Sequence, residues 1–167
     1  IVAEPTDLEI HAAITGVVGA MIVIEGKTAH VTMPFEGVNA IEKSMTIVKA
    51  IHEFRDWRIK NSSHPLYQRY RQVAGSSVLG MERIDSKDMT KIPSQVMLLI
   101  ASIVMPGETP QAVSQETEEW IRRAAAEDPW LKDNPPQISW IPVGARNHST
   151  EIPVDHPLIS TLGHALR

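Results

Sequence analysis

Residues 95–104 read Gln-Val-Met-Leu-Leu-Ile-Ala-Ser-Ile-Val, a run that is apolar on both of the faces a strand would present. Alternate residues of a strand point to opposite sides, so such a run belongs in the interior of a sheet with cover on each side. Helices supply that cover on one side and something else must supply it on the other. The apolar stretch is about ten residues long, half of the roughly twenty a membrane helix needs, so no membrane partner is expected.

The rest of the chain provides the sheet and the helices. Residues 8–13 and 17–25 read as two β segments joined through Thr15-Gly16, an opening hairpin rich in Val and Ile. From Val38 the apolar residues Ile41, Met45, Val48 and Ile51 recur at three- and four-residue steps, predicting a helical face. That helix is expected to end near Lys60, where Asn61-Ser62-Ser63 and His64-Pro65 follow and the residue before proline is pushed out of the α region. Residues 76–84 and 95–104 form the next two strands, around the polar turn Asp85-Ser86-Lys87-Asp88. Thr109-Pro110 then caps a second helix, whose buried stripe is predicted as Val113, Thr117, Trp120, Ile121 and Ala124. After Asp128-Pro129 and Asn134-Pro135-Pro136, residues 137–143 make the last strand. Setting aside the first short segment, the order is β-α-β-β-α-β. It predicts an α+β fold, a four-stranded antiparallel sheet with two helices on one face, of the ferredoxin-like split βαβ type.

Charge and cysteine content narrow the function. Sixteen Lys and Arg against twenty Asp and Glu give a net charge of −4, which offers no long-range attraction to nucleic acid or anionic lipid. Without cysteine there is neither a disulfide framework nor a thiolate metal site, which fits a cytoplasmic setting. One rival signal runs from Arg55 to Arg71, where Arg55, Arg58, Lys60, Arg69 and Arg71 interleave with Trp57, Tyr67 and Tyr70. An RNA-binding module has the same four-stranded architecture but stacks bases on aromatics of its central strands. Here the aromatic run falls at a helix end and in a loop.

The polar groups of the first forty residues recur in an order no core needs: Glu4-Pro5-Thr6, then Gly26-Lys27-Thr28-Ala29-His30, Pro34 and Gly37-Val38-Asn39-Ala40-Ile41. Glu4 ends a short apolar segment where Pro5 stops strand pairing, a place that suits either a ligand or a simple strand-end cap. His30 is a titratable side chain on a loop, one of seven histidines, open to a catalytic or an ordinary surface reading. Asn39 stands where a helix starts, so capping is as good a reading as substrate contact and it is left outside the site. Met97 and Met105 read as core filler rather than soft-metal ligands. His148, His156 and His164, eight apart and interrupted by Pro153 and Pro157, do not form a ligand set.

These motifs resemble the metal-dependent amidohydrolases and peptidases that include acetylornithine deacetylase, succinyl-diaminopimelate desuccinylase, aminoacylase and glutamate carboxypeptidase. The resemblance continues in Pro106-Gly107-Glu108-Thr109 and in Asp155-His156-Pro157-Leu158, so it covers essentially the whole chain. It implies a lid or dimerisation domain at residues 14–145, with residues 1–13 a remnant of a catalytic-domain strand and 146–167 the start of the second part of that domain. It implies a parent with two metals, zinc or cobalt, that cleaves N-acyl amino acids or small peptides as a homodimer. Glu4 would be a metal ligand, and His30 would reach the partner subunit's active site to stabilise the oxyanion.

The upstream His-x-Asp and Glu-Glu motifs and the final downstream His of such a metal site are not in this sequence. One carboxylate cannot fill a coordination shell, so this segment alone is expected to bind no metal and to be inactive. The resemblance has gaps: no arginine precedes Pro106 on its strand, and Lys91 stands before Ile92-Pro93 where an asparagine is common. Lys91 or Arg146 is then available as a clamp for an anionic substrate. Fold alone also permits a stand-alone oligomerisation or small-ligand-sensing module.

Overall fold

The computed structural model describes residues 9–142 and 147–166. Its centre is a four-stranded antiparallel sheet of β2 (Gly16–Glu25), β3 (Ser76–Arg83), β4 (Gln95–Val104) and β5 (Gln137–Trp140), in the spatial order β3-β4-β2-β5. Helices α1 (Ala40–Asn61) and α2 (Pro110–Glu127) pack on one face. The four-stranded antiparallel sheet with two helices is the architecture the β-α-β-β-α-β order predicts.

The period-two pattern of β2 and β4 sets the core. Val18, Ala20, Ile22 and Ile24 of β2 and Val96, Leu98, Ile100 and Val104 of β4 are buried toward the helices. Ile47, Ile51 and Phe54 of α1 and Val113 and Ile121 of α2 close over them. Between the layers, Ser76 Oγ donates to Ser102 Oγ at 2.8 Å, and Thr117 Oγ1 lies 3.2 Å from Ser102 and donates to the Val113 carbonyl, so three buried hydroxyls satisfy one another. The opposite sheet face carries Met97, Leu99, Ala101 and Ile103 half-buried and Val17, Met21 and Ile141 exposed.

Four sequence expectations are corrected. Residues 8–13 and 17–25 do not form a hairpin: β1 is only Ala13–Ile14, and it pairs antiparallel with β6 (Thr150–Glu151) in a separate two-stranded sheet. Val-rich patterning identifies a strand but not its partner, and β2 is already paired on both edges, by β4 and β5. On α1 the core face is Ala40, Ser44, Ile47, Ile51, Phe54 and Arg58, while Ile41 and Met45 are exposed; small residues were needed where the helix approaches the sheet. On α2, Ala125 rather than Ala124 completes the buried stripe, and Trp120 is half-buried. Met97 is half-buried on the outer sheet face, although Met105 is buried as expected.

The Arg55 to Arg71 run resolves into structure. Arg58 is 4% exposed, donating from Nε to the Ala74 carbonyl at 2.8 Å and from its terminal nitrogens to the Ile103 carbonyl at 2.9 Å, Glu108 at 2.7 Å and Glu116 at 3.2 Å. His64 Nε2 meets Glu151 at 3.1 Å and Tyr67 donates to the Ala13 carbonyl at 3.3 Å, tying the loop after α1 to both strands of the small sheet. Burial and the neighbouring Glu151 push the Tyr67 hydroxyl's pKa up. Helix α3 (Pro157–Ala165) closes the described chain, its first turn capped by His156 Nδ1 accepting from the Leu158 N–H at 3.1 Å.

Candidate functional site

The loop from β2 to α1 carries the motif residues, and it is held on two sides. On one side Lys27 and Val38 exchange both backbone hydrogen bonds at 2.8 Å. This contact explains both motif glycines. A Cβ on Gly26 would lie 2.2 Å from the Val38 carbonyl oxygen, and one on Gly37 would lie 2.8 Å from the Lys27 oxygen, so neither position accepts a side chain without moving backbone. On the other side the Ser94 carbonyl accepts from Gly26, the Thr90 carbonyl from Val31, and the Ala29 carbonyl from the Ile92 N–H, all between 2.8 and 2.9 Å. His30 is therefore placed opposite Lys91 in an antiparallel bridge.

His30 itself is exposed, and its Nδ1 lies 2.8 Å from Thr32 Oγ1. Its other ring nitrogen meets no partner among the described residues. The apolar residues that follow it in sequence, Val31, Met33 and Phe35, are exposed, and so is Met89, two residues before its bridge partner Lys91, at 91%. Pro34–Glu36 form a short 3₁₀ turn that leads the chain into α1. Lys91 is half-exposed and its Nζ lies 3.5 Å from the Asp88 carboxylate. Asp88 also accepts from the N–H and hydroxyl of Thr90; these bonds, with Lys91 adding to them against a smaller desolvation effect, hold its pKa below the usual carboxylate value.

Asn39 is a cap. Its Oδ1 accepts from the Ile41 N–H at 3.0 Å and its Nδ2 donates to Glu42 at 3.1 Å, which leaves the side chain committed to the start of α1. The Pro106-Gly107-Glu108-Thr109 motif is structural too. Glu108 accepts from the Met105 N–H at 2.9 Å and from Arg58, and Thr109 caps α2 by accepting from the Ala112 N–H at 3.1 Å. The dual role of Glu108 was not readable from its spacing, because its partner Arg58 lies fifty residues away.

Glu4 and Arg146 lie outside the described residues, so the structure brings only His30 and Lys91 of the sequence candidates together. Among the described residues no group of three or more His, Asp or Glu is placed to hold a metal ion. No helix among them is long and apolar enough to cross a membrane.

Comparison with known proteins identifies the family and the fold. A family model described as a peptidase dimerisation domain matches residues 12–129. The N-formyl-4-amino-5-aminomethyl-2-methylpyrimidine deformylase of Halalkalibacterium halodurans is 27% identical over 105 residues, covering 62% of this chain and 23% of that protein. An amidase of the hydantoinase/carbamoylase family from Burkholderia phymatum superposes with a TM-score of 0.65 at 13% identity, over 98% of this chain and 38% of that one. Aminopeptidase PepT from Bacillus cereus gives a TM-score of 0.54 at 16% identity, over 89% and 34%. At these identities the two structural likenesses are likenesses of fold, and the chain spans well under half the length of each of the three proteins.

Proposed function

The chain belongs to the peptidase dimerisation domain family, and on that premise we propose that it is the dimerisation and lid unit of a two-metal amidohydrolase acting on N-acyl amino acids or small peptides. The lid would span residues 14–145, with the flanking segments belonging to a catalytic domain. The observation that carries the reading is His30: a histidine exposed on a loop fastened from both sides, with one ring nitrogen unengaged among the described residues. A donor held this way, in a domain whose family name is dimerisation, suits delivery to an active site across a subunit boundary.

In the parent, His30 would donate from its free nitrogen to the oxygen of the scissile carbonyl as negative charge develops there, a contribution made in the transition state. Lys91, held opposite His30, would draw a substrate carboxylate toward the same loop. Glu4 would serve as one ligand to zinc or cobalt, and the metal, when bound, acts as a Lewis acid toward the amide carbonyl. The other ligands would have to come from outside the described residues, among which no group of three or more His, Asp or Glu is placed to hold a metal ion. The deformylase named above also removes an acyl group from nitrogen, and the proposal takes from it the type of bond cleaved rather than the substrate.

The test mixes subunits of the full-length parent. His30→Ala alone should lower kcat about a hundredfold, the usual effect of losing one oxyanion donor, with metal content unchanged. Mixed with a Glu4→Ala chain, it should regain activity. In each mixed dimer both defects then fall in one active site and the other is intact, so random pairing restores about a quarter of the wild-type rate. No recovery, with mixed dimers verified by mass, overturns the assignment of His30 to the partner's site.

A further inference from the structure

Thr32 supplies both hydrogen-bonding groups that touch the His30 ring. Its hydroxyl oxygen lies 2.8 Å from Nδ1, and its backbone N–H donates to the same nitrogen at 3.3 Å. An amide N–H can only donate, so Nδ1 presents its lone pair; the hydroxyl, sharing that nitrogen, donates as well. The proton of the neutral imidazole then sits on Nε2, the nitrogen left open.

We propose that Thr32 is a positioning residue that fixes His30 in the Nε2–H tautomer and holds the ring with that donor facing outward. The inference rests on the reading of His30 as an oxyanion donor and adds the reason it can act as one. The opposite tautomer would turn its only hydrogen back toward Thr32 and aim an Nε2 lone pair at the developing negative charge, converting a stabilising contact into a repulsive one. Selection between the two is therefore a condition of function. The backbone takes part in it: the Met33 N–H donates to the His30 carbonyl at 2.8 Å and the Val31 N–H to Thr90 at 2.9 Å, so the turn that brings the Thr32 amide beneath the ring is fastened on both sides of it. The β-branched Thr32 has few χ1 choices, which keeps its hydroxyl aimed at one place.

Thr32→Val keeps the shape of the side chain and removes the hydroxyl; Thr32→Ser keeps the hydroxyl. Imidazole nitrogen NMR on protein labelled with ¹⁵N-histidine reads the tautomer directly, without substrate or metal. The wild-type His30 should give the pattern of a protonated Nε2 and a bare Nδ1. Thr32→Val loses the 2.8 Å hydroxyl contact and keeps only the longer backbone one at 3.3 Å, so a signal from the Nδ1–H form should appear beside that of the Nε2–H form, and in the full-length parent kcat should fall about tenfold with KM within about twofold. Thr32→Ser should restore both. A wild-type nitrogen pattern with protonated Nδ1, or a Thr32→Val protein with unchanged spectrum and unchanged kcat, overturns the proposal. The two readings separate cleanly: if His30→Ala leaves kcat intact, His30 is not the oxyanion donor, and the nitrogen spectrum alone then judges whether Thr32 sets the tautomer.

Discussion

Replacing Arg58 with methionine tests whether the Pro106-Gly107-Glu108-Thr109 motif serves the fold. Methionine fills the apolar path of the arginine stem and removes the guanidinium, which is the donor for the Ala74 and Ile103 carbonyls and the counter-charge of Glu108 and Glu116. Losing a partner to a buried carbonyl costs on the order of 1 to 3 kcal/mol, and breaking a buried ion pair from one side costs about 3 to 5. Here the carboxylates are 36% and 34% exposed and regain water, so the lower end applies and we expect about 3 kcal/mol in all. For a chain of this size each kcal/mol moves Tm by about 2 to 4 °C, giving a fall of roughly 6 to 12 °C. Arg58→Lys, which keeps the charge but not the planar fork, should lose somewhat less. Glu116→Gln, at a single half-open contact, should lose under about 1 kcal/mol. Urea unfolding of the four proteins measures these differences. Arg58→Met within about 1 kcal/mol of wild type, or matched by Glu116→Gln, would refute the reasoning.

Three further outcomes are expected. Burial acts to raise the Asp85 pKa, but the Arg83 guanidinium, the Ser94 and Ser86 N–H groups and the Ser94 hydroxyl outweigh it and hold the carboxyl well below the usual carboxylate range. Since the folded value lies under the unfolded one of about 3.9, its stabilisation is complete above that pH and is lost as pH falls; the stability gap between wild type and Asp85→Asn should narrow from about pH 5 to about pH 2, and a constant gap would contradict the assignment. Lys91→Met in the full-length parent should raise KM for substrates bearing a free carboxylate by about tenfold and leave their neutral amides unchanged; equal effects on both would remove Lys91 from substrate binding. Light scattering of the 167-residue chain at high micromolar concentration should give twice the 18.5 kDa chain mass, and a monomer would remove the dimerisation reading.

What was legible in the sequence was whatever depends on neighbours along the chain. The Val- and Ile-rich run of β2, the unbroken apolar run of β4, the caps at Asn39 and Thr109 and the breaks at His64-Pro65 and Asp128-Pro129 are local chemistry, and the elements they bound appear within a few residues of expectation. What was not legible depends on partners distant in sequence. The pairing of β1 with β6 joins residues more than a hundred apart, and no periodicity in either strand encodes it. The α1 face differs from expectation for the same reason: large apolar residues alone point to Ile41 and Met45, whereas the face buried against the sheet carries Ala40 and Ser44. Arg58 reads in sequence as part of a basic and aromatic run because its carbonyl and carboxylate partners come from four other segments.

The same distinction explains why the site was only half readable. Gly26 and Gly37 could be recognised as a motif, but their reason is mutual, each leaving room for the other segment's backbone. That close approach lets the Lys27–Val38 bridge form, and the bridge, with the backbone bonds to Thr90, Ile92 and Ser94, leaves the loop between them little freedom. On the proposed role of His30 such restraint would help, because a donor already oriented need not reorganise when the charge appears. Val31, Met33, Phe35 and Met89 are exposed, and on the same proposal their burial against a partner surface would exclude water from the histidine. Rigid backbone, an open ring nitrogen and an apolar rim thus converge on one loop, and each is intelligible if the loop completes an active site on another subunit.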